Sequence, residues 1–599
     1  MTQWIAGITR GHNGATVLLK DGEVVFYLEE ERLSRKKYDG GPFAGMLKIK
    51  EYTDKIDYLV VAHTQPLEAS GRIDFTGDDM YTGFARKIGL IEQNPKYKLN
   101  QSKIHPQVID MGLLHHEMHA ACAFYNSGFE EAACVIVDGA GTFVPLGDDS
   151  IGWELETIFH ASYPNDFVTK YKHIGLRGPQ TTFEKIQVPH AFRGKPDDLH
   201  DVIFSDRPGI TKCYEAMTNY CGFPFIEAGK AMGLAPYGKE NPNIPFIFHG
   251  EEGRHLSNRN LFVPNYPNGA HIDAMGFPYL NTDNLEVRKD LAYAVQKATQ
   301  EQVLRLIKKA IEVTGSKNVV LAGGFGLNCV ANYYYLSQLP EGVKIYNEPI
   351  SHDGGTSIGA AKYVHHEITK DRTIRKQNSI YYGPNYFETT GYNINLDESD
   401  GESMRDITKD EIIDLIREKN IVALYQGGSE AGPRALGNRT LMFDPTVENG
   451  KDLVNEVKHR EWFRPFAGTV LAEHVHEYFD LRGMEDTPFM MYAVNCQPGV
   501  EKIIPSIIHV DGTCRIQTVT KEQNKHYYEL IEKFHEKTGV PILFNTSFNL
   551  GGDPLVETID DAIDTLRRSD IEYLYLPEID QLVHIPKNST EEEDPILGE

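Results

Sequence analysis

The sequence predicts an α/β protein, with a duplicated strand-rich unit in its first half and a second α/β body after it. Three observations predict it. Short apolar runs stop at glycine turns after Thr9 and at Asp138-Gly139. The order strand, glycine turn, strand occurs twice, from Trp4 and again from Ala133. Around residues 366–400 the patterning loosens into Thr369-Lys-Asp-Arg-Thr and Gly383-Pro384, which marks a connection between bodies.

Trp4 to Thr9 reads as a strand, Arg10-Gly-His-Asn-Gly14 as a polar turn and Ala15 to Lys20 as a second strand. Asp21-Gly22 is a hairpin signal, so Glu23 to Glu29 returns as a third. His115 and His119 lie at i and i+4, which on a helix puts both imidazoles on one face. Ala120 to Phe124 continues that helix with small residues suited to close packing. The second copy runs from Ala133 to Ser162, with Asp138 at its glycine turn and a strand through Trp153 to His160. Strands ending in this way deliver side chains to a crevice. Helical periodicity covers Leu291 to Val313 and a buried strand covers Asn318 to Ala322. Gly323-Gly-Phe-Gly326 then opens a helix, an arrangement that suits a phosphate or ribose. Ser351-His-Asp353-Gly-Gly355 offers a second carboxylate in the same style. Duplicated units of this kind build actin-like (ASKHA) nucleotide folds. The expected boundaries are 1–375 for the duplicated domain, 376–400 for the connection, 401–587 for the second body and 588–599 for an acidic tail.

With 599 residues, 41% hydrophobic and 24% charged, the chain has the balance of a globular enzyme with full cores. A net charge of −26 argues against a general nucleic-acid or membrane coat, though not against a local basic groove. The seven cysteines show no Cys-x-x-Cys spacing and read as reduced, buried thiols. The first residues lack a basic stretch and a long apolar run, and no segment approaches a membrane span, so a cytoplasmic location is expected.

His115, His119, Asp138 and Asp353 form a donor set for a divalent transition metal. An isolated His-x-x-x-His pair is as readily an ordinary helix surface; the glycine turns around it favour the metal. In the second body, Gln426-Gly-Gly-Ser-Glu-Ala-Gly-Pro-Arg434-Ala-Leu-Gly-Asn-Arg439 lets backbone N–H groups converge on an anion, with two forked donors beside them. Lys458, Arg460 and Arg464 concentrate positive charge in an acidic protein, which a polyanion such as ATP explains. The alternative is a solvated basic helix paired with its own glutamates. Phe544-Asn-Thr-Ser-Phe-Asn549 offers hydroxyls and amides for a phosphate or a planar carbamoyl group, unless it is a plain turn.

Motifs spread nearly end to end resemble the O-carbamoyltransferase family of the NodU/CmcH type. They include Gly11-His-Asn-Gly-Ala15, Glu29-Glu-Glu-Arg32, the His115–Ala120 segment, Gly229-Lys230-Ala-Met-Gly-Leu-Ala-Pro-Tyr237, Ala322 to Asn332, Gly432-Pro-Arg-Ala-Leu-Gly-Asn-Arg439, Phe463-Arg-Pro-Phe466 and Phe544 to Asn549. The resemblance implies an actin-like, metal-bearing N-terminal domain, similar to a subunit of the tRNA threonylcarbamoyladenosine machinery, and a YrdC-like C-terminal domain. It implies that carbamoyl phosphate and ATP, with Mg, give carbamoyl-AMP and pyrophosphate in the C-terminal domain. An acceptor hydroxyl then displaces AMP at the metal.

On family grounds the metal is Fe(II), or another divalent transition metal, held by His115, His119, Asp138 and Asp353. Lys458, Arg515 and Ser547 serve the carbamoyl and phosphate groups. Arg434, Arg439, Arg464, Asn545 and Thr546 contribute to the nucleotide site, and Asn328 and Asn332 line the nucleotide crevice. Lys230 binds phosphate or is an ion-paired structural lysine. His12 either takes the acceptor's proton or is a turn residue bonded to its own loop. Nitrogen donation makes a carbamate a poor electrophile, so an adenylate leaving group is a reasonable activation, and the developing charge needs fixed cations. A homodimer is compatible with the family.

The chain departs from the family in three places, one of them Glu117-Met118 in the helix motif, where small or apolar residues are usual. Gly428 and Ala431 stand where the family commonly has a cation and an aromatic before Gly-Pro-Arg. The stretch 167–212 is longer than expected and holds eight Lys/Arg against five acids. It reads as a solvated loop or, more sharply, as an insertion that binds an anionic acceptor: a nucleotide, or DNA bearing a 5-hydroxymethyl pyrimidine. Other acceptors remain open, among them a sugar or an antibiotic hydroxyl. Two further readings are a threonylcarbamoyl-type tRNA enzyme and a non-catalytic nucleotide sensor.

Overall fold

The computed structural model describes residues 2–65, 79–92, 107–145, 151–176, 181–186, 200–205, 209–244, 247–248 and 281–587. The expected acidic tail at 588–599 lies outside them. The chain divides into two compact units. One comprises Met1–Gly383 with Ala431–Pro433 and Leu481–Val494; the other comprises Pro384–Glu430, Arg434–Asp480 and Asn495–Glu599.

The first unit carries the duplication in its strand order. Its first sheet contains β1 (Trp4–Thr9), β2 (Ala15–Lys20), β3 (Glu23–Glu29), β4 (Tyr58–Ala62) and β5 (Val108–Asp110), ordered β3-β2-β1-β4-β5. Its second sheet contains β6 (Glu131–Val137), β7 (Phe143–Pro145), β8 (Ile151–Ser162), β9 (Asp166–Gly175), β10 (Thr181–Ile186), β11 (His200–Ser205), β12 (Asn318–Ala322) and β13 (Lys344–Asn347). Within it, the order β9-β8-β6-β12-β13 repeats the first sheet. In both, the central strand has antiparallel hairpin partners on one side and two parallel strands on the other. This is the duplicated actin-like α/β architecture that the alternation of glycine turns and hairpins predicts.

Where it is described, the basic stretch 167–212 is not a solvated loop. Its described parts form β9, β10 and β11, with β11 parallel to β9 and β10 antiparallel to β11, extending the second sheet. Lys172 is spent on the buried carboxylate of Glu154 and Lys212 on Glu215, so neither is a bare cation for an anionic acceptor. Arg177 lies outside the described residues.

The helix His115–Ser127 is buried on every side, and it packs on β6 and β12 and against the helix Gly355–Thr369. The two helices cross through Gly359: a Cβ there would lie 1.9 Å from the carbonyl oxygen of Met118, so no side chain fits. The Leu285–Thr314 helix begins at an Asn284 cap, ends at Gly315 in the left-handed conformation and covers the sheet at β6.

Two short segments from later in the chain belong with the first unit for evident reasons. Buried Glu29 accepts from the Gly432 N–H at 3.1 Å while Arg32 donates to the Gly432 carbonyl at 2.6 Å. Arg482 stacks over Tyr333 at 3.9 Å and donates to its carbonyl at 2.8 Å.

The second unit is built on a mixed ten-stranded sheet. Its strands are β14 (Ser403–Asp406), β15 (Val422–Tyr425), β16 (Arg439–Phe443), β17 (Ala467–Leu471), β18 (Phe479–Asp480), β19 (Ala493–Cys496), β20 (Thr513–Val519), β21 (Ile542–Ser547), β22 (Tyr573–Leu576) and β23 (Gln581–His584). They run in the order β14-β23-β22-β15-β16-β21-β17-β20-β19-β18. The Lys409–Arg417 and Ile559–Arg567 helices both start in capping boxes, at Thr408 and Thr558, and bury their isoleucines. Among the described residues all seven cysteines are free, six of them buried. No helix there is long and apolar enough to cross a membrane.

Candidate functional site

Four side chains converge at the inner end of the first unit. His115 and His119 open the His115–Ser127 helix, Asp138 follows β6, and Asp353 precedes the Gly355–Thr369 helix. Their donor atoms all lie within 4.8 Å of one another. The two Nε2 atoms are 3.2 Å apart; His115 Nε2 is 3.4 Å from Asp138 and 3.6 Å from Asp353, and His119 Nε2 is 3.6 Å from Asp353. Gly323, at φ +85°, lets the end of β12 lie against β6: a Cβ there would meet the Val137 carbonyl at 2.4 Å. That close approach brings the Gly324 N–H within 3.2 Å of Asp138 Oδ1, which fixes the carboxylate.

The arrangement fits a divalent transition ion. Donors about 2.1 Å from one ion stand about 3 Å apart as neighbours and about 4.2 Å apart across it, a range that holds the 3.2–3.6 Å separations among these atoms. The local field also favours positive charge. Burial opposes protonation of His115, yet the carboxylates of Asp138 and Asp353 overcome it and push the imidazole up to about 10. Burial works to raise both carboxyls as well, but the histidines hold Asp138 and Asp353 below the usual aspartate range. His116, one position along, is different: burial pulls it down to about 4, and its Nδ1 lies 2.8 Å from Thr157.

Three groups rim this cluster where it meets solvent. His12, in the β1–β2 turn, is 52% exposed with Nδ1 3.8 Å from Asp353. Lys212 and Glu215 form a 2.6 Å ion pair on the Ile210–Tyr220 helix. Glu215 packs so closely on Gly139 that a Cβ there would sit 2.8 Å from its carboxylate. The helix start is fixed by Glu156, which accepts from the Ile210 N–H at 2.6 Å and is itself held by His173 at 2.6 Å.

Asn328 and Asn332 commit their amide groups to the fold. Asn328 caps the Cys329–Leu336 helix and exchanges reciprocal amide bonds with Gln296 at 3.0 and 3.2 Å. Asn332 is wholly buried and donates to the carbonyls of Gly326 and Met491 at 2.8 and 3.0 Å. Lys230 is ion-paired with Glu227 at 2.7 Å.

In the second unit a cluster of cations meets the end of β21. Lys458, at the C-terminus of the Gly450–Val457 helix, is fully buried. Its ammonium donates to the Ser547 carbonyl, to Thr546 Oγ1 at 3.3 Å, and to Ser547 Oγ and Asn549 Oδ1 at 3.4 Å. Arg460 reaches the same three side chains at 3.2–3.4 Å. Among the described residues neither cation pairs with a carboxylate. Burial and the neighbouring Arg460 and Arg464 push Lys458 well down; burial, Arg464 and Arg515 bring Arg460 to about 9. Arg464 lies 3.5 Å from Glu461, and half-buried Arg515 stands on β20 beside Ala467. Positive charge stripped of water and crowded with like charge is a site for an anion. Arg460 and Asn549 stand in this cluster beside Lys458, although sequence reasoning gave them no role of their own within the charged and amide-rich segments. The signal was present in the spacing Lys458-x-Arg460 and Ser547-x-Asn549.

Two other residues chosen from sequence serve the fold. Arg439 is fully buried, stacks 3.7 Å from the Tyr425 ring and donates to the carbonyls of Gln426, Gly427, Asn438 and Glu557. Asn545 is also buried and spends its amide on the Ala435 carbonyl and Thr469 Oγ1. Arg434 is half-buried in the loop 426–438 between β15 and β16. That loop does gather backbone N–H groups around an anion, but the anion is its own. Glu430 Oε1 accepts from Leu436, Asn438 and Arg439 at 2.7, 2.8 and 3.2 Å.

Comparison with known proteins finds relatives along nearly the whole chain. A carbamoyltransferase N-terminus profile matches residues 103–362 and a carbamoyltransferase C-terminus profile matches 413–581. The nodulation protein NolNO of Sinorhizobium fredii is 29% identical over 94% of this chain and 78% of its own length. The uncharacterized protein sll1178 of Synechocystis is 30% identical, covering 94% of both chains. The 3'-hydroxymethylcephem-O-carbamoyltransferase of Amycolatopsis lactamdurans is 29% identical over 93% of this chain and 95% of its own. With both halves of the sequence matched in order and relatives spanning nearly its whole length, the chain belongs to the O-carbamoyltransferase family.

Proposed function

We propose that this transferase activates a carbamoyl group in its second unit, at the expense of carbamoyl phosphate and ATP, and delivers it to an acceptor hydroxyl at the histidine–aspartate cluster of the first. The observation that carries the reading is the Lys458–Arg460 pair, a buried and a half-buried cation without a carboxylate partner among the described residues, set on Thr546, Ser547 and Asn549.

In atom balance, water releases phosphate from carbamoyl phosphate to leave carbamate. A carbamate oxygen then attacks the α-phosphorus of ATP and pyrophosphate departs, giving carbamoyl-AMP. Lys458 and Arg460 hold the negative oxygens throughout, with Arg464 and Arg515 beside them, in surroundings where each contact counts for more than in water. In the last step the acceptor oxygen bonds to the carbamoyl carbon, AMP leaves with the bonding pair, and the hydroxyl proton passes to a base. For that proton we assign exposed His12, whose Nδ1 lies 3.8 Å from Asp353. A divalent transition ion, Fe(II) on family grounds, would be held by His115, His119, Asp138 and Asp353 and would supply Lewis acidity. The acceptor is a hydroxyl of a small molecule, such as a sugar, an antibiotic or a hydroxymethyl group.

The test is pyrophosphate release by purified protein. It should require ATP and carbamoyl phosphate together and should not occur with threonine and bicarbonate. Mass spectrometry of a hydroxyl panel should then show the gain of one carbamoyl group. Pyrophosphate release driven by threonine and bicarbonate would assign the threonylcarbamoyl chemistry instead. Release under neither condition would leave a nucleotide-binding protein without this activity.

A further inference from the structure

Among the large apolar side chains exposed on the described surface only two are aromatic, Phe225 and Trp462, and Trp462 is 48% exposed. It stands in a tight turn, Glu461 to Arg464, closed by the Arg464 N–H on the Glu461 carbonyl at 3.0 Å. Trp462 and Phe463 occupy the two central positions, and their side chains part: Phe463 is buried at 5% exposure while Trp462 faces water. The two rings are perpendicular, with centroids 5.7 Å apart, so the buried ring braces the exposed one. Below the turn, the buried Asn455 amide donates to the Arg464 carbonyl at 3.2 Å and to the Trp462 carbonyl at 3.5 Å. The ring is thus a large apolar face carried on a rigid mount.

What flanks it gives the face a meaning. Arg460 precedes the turn and shares Thr546, Ser547 and Asn549 with Lys458, and Arg464 closes the turn. Those groups can hold phosphate oxygens, but cations and hydroxyls do not read a base. An aromatic carried in the turn between Arg460 and Arg464 supplies what they lack, because every nucleobase has a π-face to stack. We propose that Trp462 is the stacking platform for the base of the nucleoside triphosphate whose phosphates bind at Lys458 and Arg460. This rests on the reading of the second unit as the ATP-using centre and adds the subsite that distinguishes a nucleotide from a bare polyphosphate.

The experiment compares Mg-ATP with Mg-tripolyphosphate, which has the same charged chain and no base. Affinities are measured calorimetrically on the full chain for wild type, Trp462→Phe and Trp462→Ala. Wild type should prefer ATP by about 5- to 100-fold. Trp462→Ala should erase most of that preference with tripolyphosphate affinity unchanged, and Trp462→Phe should retain much of it. ATP, but not tripolyphosphate, should quench tryptophan emission in wild type, and the quench should vanish in Trp462→Phe. An ATP preference that survives in Trp462→Ala, alongside unaltered tripolyphosphate binding, would overturn the proposal. Wild type that binds neither ligand would overturn the underlying reading of the second unit.

Discussion

The Nε2 atoms of His115 and His119 face each other at 3.2 Å with the Asp353 carboxylate 3.6 Å from both. A proton can bridge one such pair of nitrogens; a single cation satisfies both at once, together with the two carboxylates. Substituting His119→Ala should therefore lower transition-metal affinity by about a hundredfold or more, since even losing a supporting group costs up to that much. Elemental analysis after dialysis would show the loss. Pyrophosphate release, which the proposed function assigns to the second unit, should survive while the carbamoylated product disappears. Undiminished metal content in the variant would contradict the assignment.

Arg460 places a planar fork on Thr546, Ser547 and Asn549. Lysine keeps the charge but loses the fork. Arg460→Lys should slow pyrophosphate release about a hundredfold, the scale for removing one fixed donor from a developing charge. A variant with the wild-type kcat would remove Arg460 from the site.

Gly359 sits 1.9 Å, in Cβ terms, from the Met118 carbonyl, on the helical turn between the two histidines. Gly359→Ala must push the helices apart. Overpacking of this kind costs about 1–3 kcal/mol, read from the urea midpoint. The displaced turn should also weaken metal retention, which a purely global loss of stability would not do at low temperature.

Glu348 is wholly buried, and that burial lifts its carboxyl to about 7, against the pull of the Ile350 N–H and of Asn126, Lys362 and Tyr346. Between the ordinary glutamate value of 4.5 and about 7 the folded chain keeps a proton that the unfolded chain has released. Stability from this group is complete below the lower value and falls as pH rises through the upper one. Glu348→Gln should therefore gain stability relative to wild type as pH climbs from 5 to 8, measured by parallel urea titrations. A pH-independent difference between the two proteins would show that the group does not titrate in this window.

Much of the first unit was legible because strands that alternate with glycine turns leave a periodic trace. β1, β2, β3 and β12 lie where the apolar runs place them. The His115, His119, Asp138 and Asp353 cluster was legible because few other roles explain two histidines one turn apart beside carboxylates at strand ends. Side-chain direction was not legible. Arg439 pairs in register with Tyr425, which turns its guanidinium inward onto that ring. Asn332 differs from a crevice residue only in what covers it, the Leu481–Val494 segment far along the chain. Glu430 shows the same limit. A loop rich in glycine and N–H groups reads as an anion cradle, and only the fold reveals that its own carboxylate fills it.

The matching strand orders of the two sheets have a last consequence. His115 and His119 sit just beyond the final strand of the first repeat, whereas Asp138 and Asp353 come from the second, after its opening strand and its last. Each repeat by itself holds half of the donors, so a fragment carrying either one alone would bind the ion feebly. Loading of the centre thereby reports that both copies have folded and closed on each other, a quality check written into the ancestry of the domain.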